Sequence, residues 1–224
     1  MREVDRIMVE ELGIGLHQMM ENAGRALARR ARLMLGGDAA GQRVTVLAGP
    51  GGNGGGGMVA ARRLSIWGAE VTVILGQPDG QLAGVPAQQL SILRRMGLSV
   101  LEPEPHLPAA DLIIDALIGY SLTGAPRSPI SELIDAANAA GVPILALDIP
   151  SGLDSDRGVR QNPCISAAGT LTLALPKIGL LQRSAMPAVG ELFLADISVP
   201  AVVYGRIGLQ VADIFARDDV VALR

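Results

Sequence analysis

Five short apolar segments recur along the chain, and helical segments separate most of them. They lie at residues 44–47, 71–75, 99–101, 112–114 and 143–147. Strands that are apolar on both faces are typical of a parallel sheet covered by helices on both sides. This alternation predicts an α/β fold around a mostly parallel sheet.

Two further strands are predicted close together, at residues 170–175 and 191–195. Little helix separates them, so we expect the far edge of the sheet to be mixed. No internal repeat or linker divides the 224 residues, and this length suits one domain. We assign residues 1–210 to that domain and residues 211–224 to a C-terminal tail or the start of a linker.

The composition excludes several classes of protein. Hydrophobic residues make up 49% and charged residues 18%, which excludes a disordered chain. A net charge of −3 and 2% aromatic residues argue against nucleic-acid binding. No apolar stretch reaches the roughly 20 residues that cross a membrane. The single cysteine, Cys164, cannot form an internal disulfide, so we expect a cytoplasmic, reducing setting and a buried, unreactive thiol.

A run of glycines lies between the first predicted strand and a predicted helix at residues 58–67. Seven of the nine residues at 49–57 are glycines. Bare backbone and the free N–H groups of a helix start can bind a phosphate, so this loop predicts a nucleotide site. A triphosphatase loop is excluded because the run contains no lysine. An oxidoreductase is disfavoured because the second strand ends Leu75-Gly76-Gln77, without an acidic residue at its end to hold a ribose.

Polar side chains follow three of the predicted strands. Asn53 follows the first, Asp115 the fourth, and Asp148 the fifth, with Ser151 three residues later. Because parallel strands share their carboxyl edge, we expect these four side chains to converge on one crevice. The alternative for the two aspartates is that they only cap turns. Oxygen ligands without histidine or cysteine suit a hard cation.

Separate motifs in a consistent order connect the chain to a known family. They are Glu11-Leu12-Gly13-Ile14, Met20-Glu21-Asn22-Ala23-Gly24-Arg25, Ala48-Gly49-Pro50-Gly51, Asp115-Ala116-Leu117-Ile118-Gly119, Asp148-Ile149-Pro150-Ser151-Gly152-Leu153-Asp154, Pro176-Lys177 with Gly179-Leu180, and Ala195-Asp196-Ile197. With these motifs, residues 1–200 resemble the NAD(P)H-hydrate epimerases, the YjeF N-terminal domain family. The resemblance implies a three-layer α/β/α sandwich with a Rossmann-like sheet.

The resemblance also implies an activity and a site. Members interconvert the R and S forms of NADHX and NADPHX, which are hydrated at carbon 6 of the nicotinamide, so that a dehydratase can repair the S form. The resemblance implies a potassium ion held by Asn53, Asp115 and Ser151. It implies substrate contacts, with ADP-ribose-type nucleotides as related ligands, from Gly52, Asn53, Gly54, Gly55, Gly56, Gly119, Tyr120, Ser121, Leu122, Thr123, Gly124, Ala125 and Asp148.

The sequence departs from the family pattern in the glycine run. Gly52 stands where relatives carry Asn, and Gly56 stands where they carry Asp; Ile178 replaces a usual Pro. An active epimerase is the first hypothesis. The alternative is a non-catalytic nucleotide-binding or scaffold module on the same fold, which the changed glycine run favours.

Reversible ring opening can reset the configuration at carbon 6, and this opening needs a group that carries a proton. A carboxylate in the crevice can act as this acid and base. We place Asp115 first in this role and Asp148 second. Lys177 is the only lysine among 19 basic residues, and it is either retained for function or a remnant of compositional drift. The family resemblance, together with an apolar face with Met8, Met19 and Met20 on the early helix, suggests a homodimer.

Overall fold

A computed structural model of the protein describes residues 1–122 and 124–223. One sheet of eight strands forms its centre, in the order β3-β2-β1-β4-β5-β6-β7-β8. All neighbours pair in parallel except β8, which pairs antiparallel with β7. The strands are β1 (Arg43–Ala48), β2 (Glu70–Leu75), β3 (Ser99–Leu101), β4 (Leu112–Ala116), β5 (Ile144–Leu147), β6 (Gly169–Leu173), β7 (Glu191–Ala195) and β8 (Val220–Ala222).

Helices cover both faces of the sheet, so the fold is the expected three-layer α/β/α sandwich. Helices α2, α3 and α4 share one apolar core with the sheet, and α5 packs in a second core on the opposite face. The helices are α1 (Arg2–Arg6), α2 (Leu16–Met34), α3 (Gly52–Ile66), α4 (Gly84–Arg95), α5 (Ile130–Ala139), α6 (Met186–Val189) and α7 (Ala201–Arg206), with a π-helical turn at Ile7–Glu11.

The two-residue period of a strand distributes the apolar side chains between the two cores. In β1, Val44 and Val46 enter the core beneath α2, α3 and α4, while Leu47 enters the core beneath α5. Strands of this kind need apolar residues on both faces, which is why the sequence pattern identified them. No described helix combines the length and the apolar character needed to cross a bilayer.

Helix α3 begins at Gly52, six residues before the predicted start, so most of the glycine run is helix and not loop. Its glycines allow close packing. A Cβ built at Gly57 would lie 2.6 Å from the Cβ of Ala116 on β4, and one built at Gly54 would lie 1.8 Å from the carbonyl oxygen of Gly49. The tertiary contacts therefore favour a helix that glycine's low intrinsic propensity does not predict.

Two expectations about the ends of the chain also change. Met8, Met19 and Met20 are buried within the chain, so they do not form the exposed apolar face on which we based a homodimer. The predicted tail contributes β8, which pairs with β7 through Phe193↔Ala222, Leu194↔Val221 and Ala195↔Val220. The far edge of the sheet is therefore mixed, as expected, but through β8, because the two strands on which the expectation was based, β6 and β7, pair in parallel.

Candidate active site

A cavity of about 690 Å³ opens at the carboxyl edge of the sheet. It lies where the strand order reverses, since β2 is on one side of β1 and β4 is on the other. Ligands bind at such switch points in open α/β sheets, and this volume suits a small-molecule ligand. The polar residues that line the cavity are Asp5, Asn53, Tyr120, Ser121, Asp148 and Lys177.

Asn53 lies in the first turn of α3 and is held by one hydrogen bond. Its Nδ2 donates to the carbonyl oxygen of Leu147 at 2.9 Å. This bond directs Oδ1 toward Gly119, where an added Cβ would lie 3.2 Å from Oδ1 and 3.6 Å from Oδ2 of Asp148. The missing side chain at Gly119 therefore keeps two oxygens accessible from the same space.

Asp115 and Ser151 form a buried unit beneath the cavity floor, and neither is among the described lining residues. Ser151 donates to Asp115 through Oγ at 2.6 Å and through its backbone N–H at 2.8 Å. The N–H of Leu117 donates to the same carboxylate at 3.2 Å. Burial raises the pKa of Asp115 to about 6, although the hydrogen bonds from Ser151 and Leu117 oppose the shift. No described basic side chain pairs with this carboxylate.

The backbone of the loop after β4 connects the buried pair of Asp115 and Ser151 to the cavity. The N–H of Ile118 donates to Oγ of Ser151 at 2.9 Å, and Gly119 is the next residue. Asn53 approaches this segment from α3, while Ser151 approaches it from beyond β5. The described residues contain no cluster of three His, Cys, Asp or Glu side chains. The oxygens of Asn53, Ser151 and Asp115 are of the amide, hydroxyl and carboxylate types, which suit a hard cation.

Asp148 differs from Asp115 because it lines the cavity. It directly follows β5 and adopts a left-handed backbone with φ of 66°, and its N–H donates to the carbonyl of Leu171 at 2.7 Å. Lys177 forms an ion pair with its Oδ1. A non-glycine residue held at positive φ is uncommon and often marks a functional position.

The structure separates the predicted substrate-contacting residues into two groups. Lining the cavity are Gly52, Asn53, Gly119, Tyr120, Ser121 and Asp148. Not among its described lining residues are Gly54, Gly55, Gly56, Leu122, Gly124 and Ala125, and Thr123 lies outside the described residues.

The three glycines at 54–56 do not line the cavity because they are turned into the protein. A Cβ at Gly55 would lie 2.4 Å from the sulfur of Met20, and one at Gly56 would lie 2.9 Å from Cδ2 of Leu147. The sequence predicts a phosphate-binding loop here, but the start of α3 at Gly52 places these residues against α2 and the sheet. Their contact with substrate stays a prediction.

The cavity also contains residues that the sequence analysis missed. Asp5 of α1 accepts a hydrogen bond from the Tyr120 hydroxyl at 2.7 Å. Burial and this bond to Asp5 raise the pKa of Tyr120. The two residues are 115 positions apart, and no local pattern connects them. The start of α4, with Gly84 and Pro86, also lines the cavity.

The sequence of the chain is similar to those of proteins named as NAD(P)H-hydrate epimerases or repair enzymes. It is 48% identical over 211 residues to the NAD(P)H-hydrate epimerase of Dehalogenimonas lykanthroporepellens, covering 94% of this chain and 84% of the relative. It is 40% identical over 198 residues to the bifunctional NAD(P)H-hydrate repair enzyme Nnr of Hyperthermus butylicus, covering 85% of this chain. The matched region is only 36% of that longer relative.

The fold also has a relative of known structure. The crystal structure of yeast ynu0, YNL200c, superposes with a TM-score of 0.82 at 25% identity and covers 99% of this chain and 96% of the yeast chain. The family model described as YjeF-related protein N-terminus matches residues 16–179. On the family match and the 48% identity, the chain belongs to the YjeF-related protein N-terminus family.

Proposed function

We propose that this protein is an NAD(P)H-hydrate epimerase, an isomerase that interconverts the R and S forms of NADHX and NADPHX. The observation that carries this proposal is the 690 Å³ cavity with Asp148 and Asn53 in its wall, in a chain 48% identical to an NAD(P)H-hydrate epimerase. The cavity lies at the edge of the sheet where nucleotides bind in folds of this type.

The reaction requires one proton to move twice. Carbon 6 carries a hydroxyl next to the ring nitrogen, and opening the ring transfers the hydroxyl proton to that nitrogen as the C–N bond breaks. Closure on the other face of carbon 6 reverses the transfer, so no redox change occurs. A carboxylate that touches the substrate can carry this proton. The geometry favours Asp148 for this step, because Asp115 is fully buried and does not line the cavity.

We propose that Asn53, Asp115 and Ser151 hold a potassium ion. This is supported by the amide oxygen beside Gly119 and by a buried carboxylate without a described basic partner. The donor set fits a hard monovalent cation. When bound, the ion would compensate the charge of Asp115 and fix the loop after β4. Catalysis by Asp115 itself stays a prediction, and its full burial favours a supporting role instead.

The second candidate function is a non-catalytic binding module. One observation favours it: Gly52 lines the cavity, and an added Cβ there would have no atom within 4 Å, so this position supplies no side chain to a ligand. Both candidates use the same cavity and the same class of nucleotide ligand, including ADP-ribose-type nucleotides.

We further propose a cytoplasmic protein that works with a dehydratase acting on the S form. The single, buried Cys164 supports a reducing compartment. The match to one part of a bifunctional repair enzyme supports a functional link between the two activities. A homodimer stays a prediction from the family resemblance.

A coupled assay tests the proposed function. Mixed NADHX epimers are incubated with potassium and an S-specific dehydratase until the S form is exhausted, and the protein is then added. We expect consumption of the remaining R form to accelerate well above the uncatalysed rate. Acceleration that is lost in Asp148→Asn supports the epimerase. A ligand-induced rise in melting temperature without acceleration identifies the binding module instead.

A further inference from the structure

We propose that Lys177 is a positioning residue that holds one oxygen of Asp148 so that the other faces the substrate. This inference rests on the proposed epimerase function. Both side chains are almost fully buried, with Lys177 8% and Asp148 3% exposed. They come from different segments, since Asp148 follows β5 and Lys177 follows β6. The cavity wall therefore contains a buried ion pair.

All the hydrogens of the ammonium group of Lys177 have partners in the protein. Nζ donates to Oδ1 of Asp148, to the carbonyl oxygen of Leu173 at 2.9 Å and to Oγ1 of Thr172 at 3.3 Å. An ammonium group has three N–H donors. Lys177 therefore has no donor left for a ligand in this arrangement, and its effect on the reaction must pass through Asp148.

The contacts of Asp148 are strongly asymmetric. Oδ1 accepts from Lys177, from the N–H of Leu173 at 3.2 Å and from Oγ1 of Thr172 at 3.4 Å. Oδ2 lies on the side of Gly119, where the missing side chain leaves space next to Asn53. Three donors thus fix one carboxylate oxygen, and the other is presented to the cavity.

The arrangement explains why lysine and not arginine occupies this position in a chain whose other 18 basic residues are arginines. A compact ammonium can donate in three directions to three close oxygens, whereas a planar guanidinium presents its donors as a wide fork. The buried space between β5 and β6 suits the smaller group.

The test is a double-mutant cycle with Lys177→Met and Asp148→Asn, with kcat and KM measured separately. If Lys177 acts through Asp148, Lys177→Met lowers kcat by about 10- to 100-fold with little change in KM, because a misplaced catalytic group costs rate. In the Asp148→Asn background, the same substitution should cost less than twofold. A full additional loss in that background, or an effect on KM alone, overturns the proposal.

A milder pair of variants covers the case in which Lys177→Met does not fold, since removing one partner of a buried ion pair is destabilising. Thr172→Val removes the hydroxyl that contacts both charged groups, and we expect kcat to fall roughly 3- to 10-fold. Thr170→Val is the matched control, because Thr170 lies on the same strand and donates to the carbonyl of Val189 at 2.7 Å, away from the pair. Equal kcat in the two variants overturns the proposal.

A structural measurement separates this proposal from the proposed function. Crystal structures of wild type and of Thr172→Val or Lys177→Met report the orientation of the Asp148 carboxylate whether or not the protein turns over NADHX. We expect the carboxylate to rotate or to adopt more than one orientation in the variants. An unchanged carboxylate overturns the role of Lys177, whereas a wild-type protein that does not accelerate epimerisation overturns only the function.

Discussion

At the scale of single residues, the absence of a side chain at Gly119 is as important as the side chains around it. A Cβ there would lie 3.2 Å from Oδ1 of Asn53, closer than an ordinary van der Waals contact. We expect Gly119→Ala to lower kcat/KM at least about tenfold, because the methyl group displaces the oxygens that face the cavity. Steady-state kinetics with NADHX measure the effect.

Gly205→Ala is the matched control for this substitution. Gly205 is exposed in α7, and an added Cβ has no atom within 4 Å. We expect unchanged kinetics and an equal or slightly higher melting temperature, since alanine is the better helix former. If Gly119→Ala retained wild-type kcat/KM, the space beside Asn53 would not be part of the site.

The thiol of Cys164 should be inert in the folded protein. Burial raises its pKa to about 11 from an ordinary 9.0, so the thiolate fraction at pH 8 falls roughly 100-fold. We expect iodoacetamide to alkylate native Cys164 slowly at pH 8 and faster as the pH rises toward 11. Mass spectrometry follows the reaction, with urea-unfolded protein as the reference. Equal rates in the two states would contradict burial of the thiol.

At the scale of elements, the glycines of α3 differ in how much space surrounds them for an added side chain. Gly57 faces Ala116 on β4, and a Cβ would lie 2.6 Å from the Ala116 Cβ, whereas a Cβ at Gly52 meets nothing within 4 Å. We expect Gly57→Ala to lower the free energy of unfolding by about 1–3 kcal/mol through overpacking. Gly52→Ala should leave it unchanged or raise it by up to about 1 kcal/mol. Urea denaturation measures both, and the reverse order would contradict the described packing.

The same helix shows how far the sequence predicted the fold. The strands of the sheet were predictable because burial on both faces requires continuous apolar runs, as in β1 and β5. The start of α3 was not, because glycine disfavours helix locally and the reason for these glycines is contact with Met20, Ala116 and Leu147 from distant segments. Helix propensity depends on neighbouring residues in the sequence, whereas the packing of α3 depends on residues that are distant in the sequence.

The candidate site also has features that the sequence predicts and features that it does not. Asn53, Asp115, Asp148 and Ser151 were predictable because they lie at or just after the carboxyl ends of strands, which share one edge of the sheet. Asp115 itself lies inside β4 and not after it, because β4 extends to Ala116. That Asp148 lines the cavity while Asp115 is buried beneath it depends on side-chain depth, which no sequence pattern reports. The sequence marks Lys177 as a compositional exception and as part of a family motif, but not its three contacts, which come from β6 and from the residue after the neighbouring parallel strand β5.

At the scale of the whole molecule, the proposed potassium ion couples the site to stability through Asp115. The folded-state pKa of this carboxyl is raised from 3.8 to about 6, so without potassium the folded state holds a proton that the unfolded state releases. The free energy of unfolding therefore falls as the pH rises from about 4 to 6, by up to roughly 3 kcal/mol. A cation that binds the ionised carboxylate offsets this loss.

We therefore expect potassium to raise the melting temperature more at pH 7 than at pH 5, relative to tetramethylammonium at equal ionic strength, because the carboxylate is ionised only at the higher pH. In Asp115→Asn both the decline in stability between pH 4 and 6 and the response to potassium should disappear, since the variant cannot ionise. Differential scanning calorimetry across this range measures both effects. If the wild type responds equally to the two cations at pH 7, or if Asp115→Asn keeps the potassium response, the buried carboxylate does not hold the ion.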